Sequence, residues 1–168
     1  MDFKENTLGK HVSIKTGKRN ANFEVPNGSY RFYTCARDFT FCNDFSFDGE
    51  SILISGNGAG VGYVHYFKGK FDAYQRTYVL QNFDEISAKY IYHYLSGHLR
   101  KKIEIEKQDT ATPFIKLETL RDFEIKYPES KPEQTLIAEI LSTADEAIAH
   151  TEALIAKYQR IKTGLMQD

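Results

Sequence analysis

The last stretch of the chain, Lys131 to Asp168, most constrains what it can fold into. Ser130 and Glu133 form an S-x-x-E capping box, and Pro132 falls in the first turn, where a missing N–H does no harm. No Gly or Pro follows until Gly164. The spacing predicts one helix of about 34 residues, roughly 50 Å long. Along it Ile137, Ile140, Ala144, Ala147, Thr151, Leu154, Tyr158, Ile161 and Leu165 step alternately by three and four. That is a heptad seam, and Leu141, Ile148 and Ile155 widen it. A face this broad needs at least one partner. The small residues Ala144, Ala147 and Thr151 would let a partner backbone come close. The competing reading is a terminal helix folded back on its own domain.

With 168 residues, the chain suits one domain, 1–130, with the helix 131–168 as an appendage. Its net charge of −1 does not announce nucleic acid. Residues 1–130 carry 18 Lys+Arg against 17 Asp+Glu, and the rest carry 4 against 6. Any nucleic-acid surface must therefore be a local cluster. Cys35 and Cys42 stand without a second metal-binding pair, so both read as reduced and structural, and no metal site is expected. No signal peptide and no apolar run of membrane-spanning length is present, and the chain reads as cytoplasmic.

Before the helix, the pattern is one of short strands and tight turns. Strands are expected at Tyr30–Thr34, Phe39–Phe47, Ser51–Ser55, Tyr63–Phe67, Thr77–Leu80 and Phe123–Tyr127. Turns fall at Val25-Pro26-Asn27-Gly28, Asp48-Gly49 and Lys68-Gly69-Lys70. Asp84 is placed to cap a helix from Glu85 to about Ile105, with Ile86, Tyr90, Ile91, Tyr94, Leu95, Leu99 and Ile103 on one face and Gly97 as a weak point. The fold class is α/β in the α+β sense: a mixed or antiparallel sheet domain followed by a long coiled-coil helix. Pro128–Pro132 marks the boundary.

Gly56-Asn57-Gly58-Ala59-Gly60-Val61-Gly62 invites a nucleotide-binding reading. The dinucleotide fingerprint needs a glycine at the sixth place and then a helix. Here the sixth place is Val61 and a strand-like run follows. A hairpin tip with open backbone fits better, set against a phosphate or a base edge. The five histidines lack metal-ligand spacing, and no nucleophile motif is present. Polar groups gather instead at loops: Lys18, Arg19, Asn20 and Asn22; Asn57; Tyr74, Gln75 and Arg76; Thr110 and Thr112. These types suit DNA. Lys and Arg neutralise phosphates, Arg pairs with guanine, and Asn or Gln pairs with adenine, each through two hydrogen bonds.

Three passages resemble the specificity subunits of type I restriction–modification systems. They are Leu8-Gly9-Lys10-His11-Val12-Ser13-Ile14-Lys15-Thr16-Gly17-Lys18, then Ile52-Leu53-Ile54-Ser55-Gly56-Asn57-Gly58 followed by Gln75-Arg76-Thr77-Tyr78-Val79-Leu80, and the entry to the helix. The last is the most specific: Pro132-Glu133-Gln134, Ile137-Ala138-Glu139-Ile140-Leu141-Ser142, Asp145 and Ile148.

The resemblance implies a target-recognition domain joined to a spacer helix, a pair normally present twice in one chain. It implies that each domain reads half of a split DNA site, that the helices pack antiparallel, and that the subunit itself does no catalysis. Its implied partners are double-stranded DNA, DNA methyltransferase subunits carrying S-adenosylmethionine, and restriction subunits using ATP. It implies no cofactor of the chain's own. This sequence holds one domain and one helix. The expectation is therefore a homodimer through the seam, or a pairing with another half-subunit, reading an inverted repeat. Rival expectations are a methyltransferase partner without a restriction subunit, a coiled-coil interaction module that binds no DNA, and an enzyme using the glycine loop.

Overall fold

The computed structural model describes residues 2–106 and 113–166. In chain order the strands are β1 (Phe3–Thr7), β2 (Ser13–Thr16), β3 (Tyr30–Tyr33), β4 (Thr40–Cys42), β5 (Glu50–Ser55), β6 (Val64–Lys68), β7 (Phe71–Ala73), β8 (Thr77–Gln81) and β9 (Glu124–Pro128). The helices are α1 (Ala88–Glu106), α2 (Leu117–Arg121) and α3 (Lys131–Leu165). They form an antiparallel sheet ordered β2-β8-β5-β6, a second sheet ordered β4-β3-β7, and a β1-β9 pair. Among the strand pairings of the described residues only β3–β7 is parallel, and an isolated bridge between Arg19 and Tyr74 is parallel too. The expected class, a mixed and antiparallel sheet domain with a long terminal helix, is the one observed.

The central sheet is buried on both faces. Ile52 and Ile54 join Leu8, Leu80, Ile91, Leu95 and Leu99 in a core shared with α1. Leu53 points the other way, with Val79, toward Tyr33, Phe47 and Phe71. Adjacent residues of one strand therefore serve two cores, which is why β5 reads as a continuous apolar run rather than an alternation. The resulting layers are α1, the four-stranded sheet, and the aromatic-rich three-stranded sheet.

Some expected boundaries move. Residues 39–47 hold only the short β4, because Asn43 to Ser46 leave the sheet to wrap Asp72. The strands β1, β2 and β7 are not among those expected from sequence; each is defined by a distant partner, Phe3 lying opposite Pro128, Ser13 opposite Gln81 and Phe71 opposite Arg31. α1 starts at Ala88 rather than Glu85, since Glu85 takes a left-handed φ of 58° that no helix tolerates. Gly97 does not interrupt it. Ser130 sits at the N-cap of α3, but its side chain makes no capping hydrogen bond, so the expected reciprocal box is not formed.

The base of α3 is built into the domain. Gln134 and Ala138 are buried there, and Ile137 packs partly against the α1 core. The remaining helix leaves the globule instead of folding back on it. The last hydrogen bond or ion pair between α3 and the domain, among the described residues, is at Asp145. No described helix is long and apolar enough to cross a membrane.

Candidate nucleic-acid interface

The glycine loop is the tip of the β5–β6 hairpin, as its sequence suggested. Three close approaches hold it. The Gly56 amide donates to the Arg76 carbonyl (3.0 Å), and the Gly58 amide donates to the Pro113 carbonyl (3.1 Å). At Gly60 a Cβ would come within 2.3 Å of the Cys35 carbonyl oxygen, so only glycine lets the 34–37 strap lie against the tip. Gly58 itself turns with a φ of 76°.

These approaches form a groove of about 540 Å³, lined by Ala21, Thr34 to Arg37, Asn57 to Gly60, and Tyr74. Asn57 and Tyr74, two of the sequence candidates, thus meet at one site. Gln75 and Arg76 are exposed beside Tyr74. Lys18 lines a separate groove of about 610 Å³ with Lys15, Thr16 and Tyr78. Asn20 and Asn22 are exposed at the rim. Thr110 and Thr112 lie outside the described residues.

Arg19 is differently employed. Its Nε donates to Asp72 (3.1 Å), its Nη2 to Asp44 (2.7 Å), and its guanidinium lies 4.2 Å from the centroid of the Phe23 ring. Asp72 is fully buried and also accepts from Ser46 Oγ (2.8 Å) and the Ala73 amide (2.8 Å). A buried carboxylate without a cation is very unfavourable. Arg19 therefore ties the polar loop to β7, and its charge is already matched by two aspartates.

Sequence reasoning missed Arg37. Its exposed guanidinium has no carboxylate partner among the described residues and lies 5.7 Å from the centroid of the Tyr63 ring. It borders both the 540 Å³ groove and a second groove between the glycine loop, α1 and α3. The available signal was Thr34-Cys35-Ala36-Arg37-Asp38, a small and polar break between two aromatic runs. Behind the strap His65 packs on Tyr33 and Tyr63, and burial pushes its imidazole below the usual range, toward the neutral form. No cluster of metal-binding type occurs among the described residues.

The second candidate surface is the free part of α3. Ile140, Leu154, Tyr158, Ile161 and Leu165 of the seam are 40–74% exposed, and Leu141, Ile148 and Ile155 beside them are exposed as well. Ala144, Ala147 and Thr151 also face solvent. Charge along the helix is segregated. After Lys131 at its first position, Glu133, Glu139, Asp145, Glu146 and Glu152 occupy its first two thirds, and Lys157, Arg160 and Lys162 the last third.

A family model described as the type I restriction modification DNA specificity domain matches residues 2–160. The chain is 35% identical over 161 residues to the EcoDI specificity subunit of a type I restriction enzyme from Escherichia coli, covering 96% of this chain and 35% of that one. In fold it is similar to the crystal structure of a type I restriction–modification S subunit from M. genitalium (TM-score 0.76, 24% identity, 92% of this chain and 42% of that one). It is also similar to the HsdS subunit from Thermoanaerobacter tengcongensis (TM-score 0.63, 18% identity, 88% of this chain and 38% of that one). The chain thus spans about a third of the curated relative and about two fifths of each solved one.

Proposed function

The chain belongs to the type I restriction–modification DNA specificity family, and from that premise we propose that its domain reads one half of a split duplex site. DNA-sequence specificity is the family's role; the residues that exercise it here are our reading. The groove at the glycine tip supports it. Asn57, Thr34, Tyr74 and Arg37 present hydrogen-bonding groups around an open backbone, the chemistry that recognises base edges and sugar-phosphate together. Gln75, Arg76, Asn20 and Asn22 extend the surface, and Lys18 adds a cation that enters no ion pair among the described residues. Arg19 supports the loop from behind.

We propose further that α3 pairs with a second copy. The observation that carries this is the uncovered apolar face on a rigid rod leaving the domain. The charge segregation favours an antiparallel pair, because it lays the basic end of each helix against the acidic part of the other. Two reading domains would then face an inverted repeat, as twofold symmetry requires. With a net charge of −1 the chain releases few counterions, so methyltransferase subunits would add phosphate contacts. Catalysis would lie in those subunits, with S-adenosylmethionine, and in restriction subunits, with ATP.

Light scattering of the full chain tests the pairing: twice the chain mass is expected, and a monomer at high concentration would overturn it. Selection from a library of random duplexes at low salt, with and without a methyltransferase subunit, tests the reading. Enrichment of one sequence is expected. No enrichment under either condition would leave a protein–protein module in place of a DNA reader.

A further inference from the structure

Gln134 occupies an unusual place for a polar residue on a long amphipathic helix. It is fully buried, and its amide is hydrogen-bonded at both ends. The Ser87 amide, just ahead of α1, donates to Gln134 Oε1 (2.8 Å). Gln134 Nε2 donates to the Pro128 carbonyl at the end of β9 (2.9 Å) and to the Glu85 carbonyl (3.2 Å). One side chain therefore ties α3 to the last strand and to the entry of α1. Eight residues on, about 12 Å along the helix, there is a second tie. His93 Nε2 and Ser142 Oγ share a hydrogen bond (2.9 Å), and His93 Nδ1 lies 3.5 Å from Asp145.

Two ties spaced along a rod fix its direction, whereas one would leave a pivot. We propose that Gln134 and the His93–Ser142–Asp145 group form a joint that sets the angle between reading domain and rod, and so the spacing between the two half-sites. This rests on the paired, DNA-reading function proposed above. Magnitudes make the angle matter. A domain of this size has a radius of about 18 Å, so a rotation of about 10° at the joint moves a loop one radius away by roughly 3 Å. That is close to the rise of one base pair, about 3.4 Å. These are positioning residues; none of them lines the groove of the candidate reading surface.

The test is selection of paired half-sites from random duplexes by the full chain, scoring half-site sequence and spacer length separately. The wild-type chain should select one spacer. Gln134→Ala should keep the half-site and accept spacers differing by one or more base pairs. His93→Ala and Ser142→Ala, which break only the outer tie, should broaden the spacer less and serve if Gln134→Ala does not fold. A spacer distribution unchanged in every folded variant would overturn the joint while leaving DNA reading intact. An unspaced half-site selected by the wild-type chain would sink the pairing and the joint together.

Discussion

The two ends of α3 invert the usual relation between polarity and burial. At its base Gln134 is buried and Ser142 is half-covered, while Leu136 and Ile140 on the same turns are exposed. Farther out Leu154, Ile155, Tyr158 and Ile161 stand in solvent. The base is positioned by hydrogen bonds whose partners lie at fixed points of the domain. The outer part carries an adhesive face whose partner lies outside the chain. A single periodicity thus covers a joint and an arm, and only position relative to the domain separates them.

The comparison breaks most readily at the arm. Leu154→Glu together with Ile161→Glu should weaken self-association by 100-fold or more, since two charges would be buried per helix, about 3 kcal/mol or more. Sedimentation should show a monomer, and the thermal midpoint of the diluted chain should not move. At the joint, Gln134→Ala leaves the Ser87 amide and two carbonyls unsatisfied and should lower stability by about 2–3 kcal/mol in denaturant unfolding. If instead the arm substitutions destabilise the monomer and the joint substitution does not, the assignments are reversed.

The two loop arginines sharpen the contrast between support and contact. Arg19→Ala strands the buried Asp72 carboxylate and should cost about 2 kcal/mol of stability, discounted for the partial exposure of the pair. Arg37→Ala should leave unfolding unchanged and reduce specific DNA affinity by about 1–3 kcal/mol. Equal loss on specific and random duplexes would assign Arg37 to phosphate.

The smallest effect is in pH. Burial, opposed by Asp145 and assisted by Lys89, holds the His93 imidazole below its ordinary value of 6.5. The unfolded chain then takes up a proton that the native chain resists, so stability is full above about 6.5 and falls as pH drops toward the folded value. Unfolding midpoints measured down to pH 5 should show this slope added to that of the buried His65, and His93→Gln should reduce it.

Sequence by itself determined the helix, its apolar seam, the glycine hairpin and the buried face of α1, because each follows from local periodicity or from a turn that only certain residues can make. It did not determine β1, β2 and β7, each defined by a strand far along the chain. Nor could it show that Arg19 would be matched by two aspartates while Arg37, unremarked in its loop, stands free of them at the groove. Gln134, next to the Glu of the capping box, carries no local sign of burial; a strand end and a helix entry converge on its amide. Hydrogen-bond partners distant in sequence decide what a polar side chain does, and the tertiary structure alone supplies them.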